Sequence, residues 1–530
     1  MNSAYLALLS IAFLALGYFV YGRFAGRVYG IDPGRKTPAA TRADRVDYVP
    51  ARNWLVLYGH HFSSIAGAAP IVGPVVALYI WGWVPALAWI LLGSVFAGGV
   101  HDLGALMVSV RHDGVSIAEA SETIVSRWAR VLFSVFVLLT LVLVVAVFAV
   151  LASETMVEKP GVIAPSVGLI PVAVIVGLLM YRTRLPGWAS TLVGLAALAG
   201  LVAWGMFWPP SAGGAVMFWL IAFLAYSYLA STLPVQYLLQ PRDYLSVYLL
   251  FAGVVAGFTG IFISRQPVVE PAFRGFSPPG NPMWPMLFVT IACGAISGFH
   301  SLVASGTTSK QLASERYARR IGYGGMIGEG IMSVMALVLV ASVGTAGFSN
   351  PIATFGRAFD QGTRNLFFGY GGLFGVLILN AFILTTLDTA TRIGRYLFSE
   401  LTGLRNRWVA TAIFILPCAL LALTGSWKDI WPVFGASNQL VAAFALLVIS
   451  SWLLARRKPI WMSFLPALFM LATTIGALVW QAWVFALGLA KSPLQNGILL
   501  AITLALLLLA GFMAMLTVVS WVRKRKAREQ

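Results

Sequence analysis

The sequence predicts an all-α polytopic membrane protein of about fifteen transmembrane helices organised around an inverted repeat. Three observations predict it: an apolar composition with few charges, a one-sided distribution of basic residues, and two apolar runs interrupted by small and polar residues.

Of 530 residues, 59% are apolar and 10% charged, and the mean hydropathy is +0.86. Soluble domains carry about 25% charged residues, so a soluble enzyme is excluded. Aromatic residues make up 13% of the chain, which excludes disorder. Apolar runs fall at 4–22, 54–80, 83–110, 129–153, 162–181, 187–208, 214–239, 244–264, 284–303, 321–347, 367–391, 408–424, 431–455, 461–487 and 496–521. The first has no basic segment before it and no small-residue cleavage site after it, so it reads as a retained span. Cys293 and Cys418 both lie in apolar runs, which indicates neither a disulfide framework nor a thiolate metal site.

The net charge is +18, from 36 Lys and Arg against 18 Asp and Glu. In a soluble protein this would point to nucleic acid. In a membrane protein it belongs to the cytoplasmic loops. With the N-terminus outside and loops assigned alternately, inside loops hold 29 of the 36 basic residues: seven from Arg23 to Arg52, three from Arg111 to Arg130, Arg182 with Arg184, Arg242, four from Lys310 to Arg320, four from Arg392 to Arg407, Arg456 to Lys458, and five after Trp521. Lys159, Arg265, Arg274, Arg357, Arg364, Lys428 and Lys491 remain outside, and no Lys or Arg is left in the hydrocarbon core. The asymmetry places the C-terminus inside and excludes a nucleic-acid partner. Inside, Ser116-Ile117-Ala118-Glu119 has the capping-box form and opens an amphipathic stretch to about Arg130, expected to lie along the membrane interface beside the lipids.

Three acids fall within spans: Asp102, Glu329 and Asp388. Of five histidines, His60, His61, His101 and His300 fall in or at the edge of spans. A mid-membrane carboxylate costs at least ~2.5 kcal/mol on insertion scales, so each must be paired, protonated or wet. An imidazole there can take a proton or ligate a metal.

Two segments read as broken helices. One is Gly59-His60-His61-Phe62-Ser63-Ser64-Ile65-Ala66-Gly67, followed by Pro70 and Gly73-Pro74. The other is Gly298-Phe299-His300-Ser301-Leu302-Val303-Ala304-Ser305-Gly306. Superposed without gaps they share G-x-H-x5-G, in spans of opposite direction. This is the pattern of an inverted repeat with a substrate site at the interruptions. Gly98-Gly99 before Asp102 and Gly324-Gly325 before Glu329 extend the correspondence into the following spans. Asp388 and Thr389 lie in a hydroxyl-rich segment that could form an oxygen-lined cation site, or Asp388 could pair with Arg392 one turn on. Asn438 and Gln439 could meet substrate or cap a broken helix.

At these residues the sequence resembles the carbon starvation protein A family. The resemblance is carried by Asp47-Tyr48-Val49-Pro50, Gly59-His60-His61-Phe62 through Gly73-Pro74, Ser297-Gly298-Phe299-His300-Ser301 through Ser309-Lys310-Gln311, Asp388-Thr389-Ala390-Thr391-Arg392, and Phe434-Gly435-Ala436-Ser437-Asn438-Gln439. It implies a bacterial inner-membrane carrier of peptides or pyruvate with a leucine-transporter-like core of two inverted five-helix repeats. The expected division is a first helix and basic loop (1–53), the first repeat (54–208), an inserted helix pair and outside loop (209–283), the second repeat (284–455), and two peripheral helices with a basic tail (456–530).

The expected function is secondary active import of short peptides, coupled to protons or a cation, with pyruvate or another small monocarboxylate as the alternative substrate. His60, His61, Ser63, Gly67, His300, Ser301, Ser305, Asn438 and Gln439 are the substrate-site candidates. Asp102, Glu329, Asp388 and Thr389 are the coupling candidates. A reading of another class is a metal-binding channel or metal-dependent membrane enzyme, with a divalent metal on His60, His61, His101, Asp102 and His300. No phosphate loop occurs, and the paired histidines lack H-x-x-x-H spacing, so an enzyme is not expected.

Overall fold

A computed structural model describes residues 2–43, 48–51, 53–183, 185–211, 213–233, 238–278, 280–348, 350–367, 369–424 and 427–529. Asp47, Arg52 and Arg184, named above, lie outside the described residues. In lipid every backbone polar group must be satisfied internally, and helices do this within one segment. The described chain accordingly folds as helices: α1 (Ser3–Tyr29), α2 (Trp54–Ile65), α3 (Ala69–Trp81), α4 (Trp83–Arg111), α5 (Ile117–Ile124), α6 (Arg127–Glu158), α7 (Ile163–Arg182), α8 (Gly187–Phe207), α9 (Val216–Thr232) and α10 (Leu239–Ser264). They continue with α11 (Met283–Thr290), α12 (Gly298–Val303), α13 (Ala318–Val343), α14 (Pro351–Gly362), α15 (Gly371–Thr402), α16 (Arg407–Thr424), α17 (Trp427–Ala455), α18 (Trp461–Gly488) and α19 (Pro493–Glu529).

Among the described residues, eleven helices are long and apolar enough to cross a membrane, twelve with the bent pair α2–α3. The other three expected runs fall on the shorter apolar helices α9 and α16 and on the interrupted pair α11–α12. Enclosure separates core from periphery. The apolar window of α15 is 94% buried and that of α17 89%, against 28% for both α8 and α19. The exposed sides of α1, α8 and α19 carry Leu, Phe, Trp and Val, as lipid-facing surfaces do.

At the centre α6 lies against α15, and α4 against α13. Around this pair of pairs, α17 packs on α11, α12, α4 and α6, while α10 packs on α2, α13 and α15. Both α9 and α16 contact α6 and α15. The short helices match as well: α5 rests on α6 and α17, α14 on α15 and α10.

Ser116 caps α5 as its sequence indicates, its Oγ accepting the Glu119 N–H at 3.1 Å. The amphipathic stretch does not run to Arg130. It ends at Ile124, and Ser126 caps a new helix through the Ala129 N–H at 3.2 Å. Nor does α5 lie on lipid: Ile117, Ala118, Ala120 and Ile124 are buried against protein.

Candidate functional site

The first interruption is short. α2 ends at Ile65, Ala66 leaves helical geometry with ψ 67°, and α3 departs at 45°. Pro70 has no N–H to lose in the first turn of α3, and no side chain caps that turn. Gly67 is required here by close approach, because a Cβ would stand 2.8 Å from the Thr386 Oγ1 on α15. That hydroxyl is buried and has no hydrogen-bond partner among the described residues.

The second interruption is longer and fully dressed. α11 ends at Thr290 and α12 begins at Gly298, where a Cβ would come within 2.2 Å of the Asn438 carbonyl oxygen. Asn438 Oδ1 accepts the Phe299 N–H at 2.9 Å, and its Nδ2 donates to Ser297 Oγ at 3.0 Å. Gln439 Nε2 donates to the Phe288 carbonyl at 2.5 Å and to that of Ile291 at 3.5 Å. Of the two roles open to them, these amides take the capping one: they satisfy backbone groups that the break sets free.

The two breaks are also out of register with the shared G-x-H-x5-G pattern. His61 precedes its break and His300 follows its own. In a repeat read from N- to C-terminus α2 corresponds to α11, so the gapless superposition is not the repeat's alignment. It nonetheless selected the two interrupted helices.

His300 joins a fully buried cluster. Asp102 Oδ2 accepts from His300 Nδ1 at 2.9 Å, and Asp102 Oδ1 accepts from His101 Nδ1 at 2.7 Å. An ionised carboxylate only accepts, so both Nδ1 atoms carry the proton. Glu329 Oε2 lies 3.0 Å from His300 Nε2 on the other side of the ring. One imidazole thus stands between carboxylates from α4 and α13. Gly98 and Gly99 allow this: a Cβ on Gly98 would meet the Ala295 carbonyl at 2.4 Å, and one on Gly99 the Tyr323 ring at 2.6 Å. No Lys or Arg pairs with these carboxylates among the described residues.

A second buried cluster contains residues the sequence placed in a loop. Arg242, in the first turn of α10 and 2% exposed, bonds through Nη1 to Asp388 and to the Tyr226 hydroxyl. Tyr226 Oη also donates to Asp388 Oδ2 at 2.9 Å, and Arg242 Nη2 reaches Asp243 Oδ1 at 3.4 Å. Arg392 does not pair with Asp388; its Nη2 donates to the carbonyls of Ala230 at 2.7 Å and Leu233 at 2.6 Å. The oxygen-lined cation site expected at Asp388 is therefore filled by a guanidinium. No hydrogen bond among the described residues ties Thr389 to it. The expectation that no basic residue enters the core fails at Arg242, because α10 starts several residues before the apolar run does.

The remaining candidates divide. His61 Nδ1 is 2.9 Å from Thr308 Oγ1, linking α2 to the turn after α12. His60 points elsewhere, its Nδ1 3.8 Å from Asp243 Oδ2. Ser63 Oγ donates to the His60 carbonyl and Ser301 Oγ to that of Gly298, both within their own helices. Ser305 faces α5, where its Oγ accepts the Ile117 N–H at 2.9 Å. The expected metal set of His60, His61, His101, Asp102 and His300 is thereby split between separate places. Among the described residues, ligand-type atoms of Cys293, His300 and Glu329 do converge, within 4.8 Å of one another. Cys293 escaped the sequence reading because one thiol in an apolar run carries no spacing signal.

A family model described as carbon starvation protein CstA matches residues 2–365 and 344–477. Among curated relatives, the peptide transporter CstA of Escherichia coli is 33% identical, over 91% of this chain and 81% of its own length. The peptide transporter CstA of Bacillus subtilis is 31% identical over 84% and 85%. The pyruvate/proton symporter BtsT of Escherichia coli is 29% identical over 90% and 81%. Among solved structures, a mutant manganese transporter of Eremococcus coleocola superposes with a TM-score of 0.55 at 12% identity, covering 91% of this chain and 99% of that one. At that identity the likeness is one of fold.

Proposed function

This chain belongs to the carbon starvation protein CstA family, and from that premise we propose a proton-coupled secondary transporter that imports short peptides. The observation carrying the proposal is the first interruption. An uncapped helix start at Ala69 stands beside the unpartnered Thr386 hydroxyl, whereas the second break has its own amides. A helix N-terminus favours an anion, and a peptide's terminal carboxylate would supply the acceptor that the break lacks. His61, with Thr308, borders the same interrupted helix.

Coupling falls to Asp102, His300 and Glu329. A proton can sit on either side of this imidazole without meeting a fixed positive charge, and the three groups join the interrupted helix to α4 and α13. The relative named a pyruvate/proton symporter favours pyruvate as the second substrate reading, since it offers the same carboxylate.

The core division we favour differs from the 54–208 expectation. Because α9 and α10 mirror the contacts of α16 and α17, they close the first repeat, and α7 and α8 are the inserted pair. We place the N-terminus outside the bacterial inner membrane, an orientation that the excess of basic residues in alternate loops supports. A cleft of about 490 Å³ beside Asn53, Trp54, Arg316 and Tyr317 then opens to the cytoplasm.

Uptake of labelled dipeptide and of pyruvate into proteoliposomes, with and without an imposed pH gradient, tests the proposal. Dipeptide should accumulate above the external concentration only with the gradient. Accumulation of pyruvate alone would move the substrate to the second reading, and gradient-independent equilibration of both would sink the coupling.

A further inference from the structure

We propose that Cys293, His300 and Glu329 form a site for one divalent transition-metal ion of the zinc class. For metal binding the inference stands alone; only its effect on uptake rests on the transport reading above.

The donors come from three places in the fold. Cys293 lies in the non-helical stretch between α11 and α12, His300 in the first turn of α12, and Glu329 midway along α13. All three are buried, and their ligand atoms lie within 4.8 Å of one another. Zinc bonds are roughly 2.0–2.3 Å long, so movements of about 1 Å bring all three donors onto one ion.

Two further observations point to a ligand at this place. His300 Nε2 and both Glu329 oxygens are buried without a hydrogen-bond partner among the described residues. Nε2 and Oε2 are 3.0 Å apart yet not aligned as donor and acceptor, as two lone-pair donors facing a common centre would be. The imidazole is also held from behind in the manner of a metal ligand. Its Nδ1 proton goes to Asp102 Oδ2 at 2.9 Å, which leaves the Nε2 lone pair free to face Glu329. Histidine ligands of metals regularly donate their second ring N–H to a carboxylate, which fixes tautomer and orientation. His101 secures the other oxygen of Asp102 at 2.7 Å.

The donor types select the ion. A thiolate beside an imidazole and one carboxylate suits zinc, iron(II) or cobalt(II) and disfavours magnesium and calcium. Binding displaces the thiol proton of Cys293 to solvent and leaves the fourth position of a tetrahedral ion open. It also occupies His300 and Glu329, so a bound ion should block proton-driven uptake.

The test uses the full-length protein in detergent, stripped with chelator and titrated with zinc chloride or cobalt chloride. One zinc per chain is expected, and cobalt should give the near-ultraviolet thiolate-to-metal charge-transfer band. Cys293→Ser should abolish the band, and Asp102→Asn should weaken zinc binding about 10–100-fold. Cys418→Ser should leave both unchanged, its thiol being buried on α16 away from the donors. Zinc below roughly a tenth of an ion per chain in the unsubstituted protein, or cobalt bound without the band, overturns the site whatever the variants do. In proteoliposomes zinc should inhibit wild-type uptake and act at least tenfold more weakly on Cys293→Ser. If chelator-treated wild type shows no gradient-driven uptake while zinc still binds one to one, the transport reading fails and the metal site stands.

Discussion

Two buried ionic clusters flank the interrupted helices, and they are balanced in different ways. Around Asp102 the two carboxylates face imidazoles, a group that exists in both a protonated and a neutral form. Around Asp388 the opposite charge is the Arg242 guanidinium, which stays charged. In the transport reading proposed above, the first cluster changes its charge during a cycle; the second is a fixed tie between α10 and α15, extended by Tyr226 on α9. A buried acid in this fold is therefore not by itself a coupling group. Its partner decides.

The comparison predicts its largest effect at the fixed tie. Arg242→Ala leaves Asp388 and Asp243 buried without the guanidinium that pairs with them, and removal of one partner of such a pair costs about 3–5 kcal/mol. The variant should be lost as monodisperse protein in size-exclusion chromatography. Replacing both partners with apolar residues, Arg242→Met with Asp388→Leu, should restore most of the stability, since neither charge is left alone. An Arg242→Ala protein as stable as wild type would erase the distinction between the clusters.

Next comes Glu329→Gln. Glutamine keeps the shape of the side chain but cannot exchange the charge, and its stability cost should stay near 1 kcal/mol. Dipeptide accumulation under a pH gradient should fall to the equilibrium level while exchange of internal for external dipeptide continues. Full concentrative uptake by this variant would remove Glu329 from coupling.

Much of this was legible in the sequence. Hydropathy located the helices, because a lipid-crossing segment must be long and apolar. Small residues beside histidine picked out both interrupted helices, because open backbone needs close neighbours, although the second break lies at 291–297, just before the marked segment 298–306. All four residues of the Asp102 cluster, Asp102, Glu329, His300 and His101, were singled out for their rarity in apolar runs. What sequence could not give was partnership. Arg242 and Asp243 sit at a helix start, where hydropathy cannot tell a loop charge from a buried one. The gapless match of His61 to His300 chose the right helices in the wrong register, since a pattern of three residues cannot locate a break. Asn438 and Gln439 were open to two roles because their use depends on backbone groups more than 130 residues away.

The smallest effect should come from His60, and it tests the comparison at its edge. His60 and His61 are neighbours on α2, yet successive helical positions point about 100° apart. His61 reaches Thr308 at 2.9 Å, whereas the nearest ion-pair contact of His60 is the 3.8 Å approach to Asp243, with 15% of its side chain exposed. At 3.8 Å that approach is too long for a hydrogen bond, so little is lost with it. Asp243 also keeps Arg242 beside it when the imidazole is removed. His60→Gln should therefore leave thermal stability and the gradient dependence of uptake close to wild type, while His61→Gln should impair uptake more through its tie to the turn after α12. If His60→Gln abolished gradient-driven accumulation as Glu329→Gln is expected to, protons would be exchanging in the Arg242 cluster as well, and the division into a fixed and a proton-exchanging cluster would not hold.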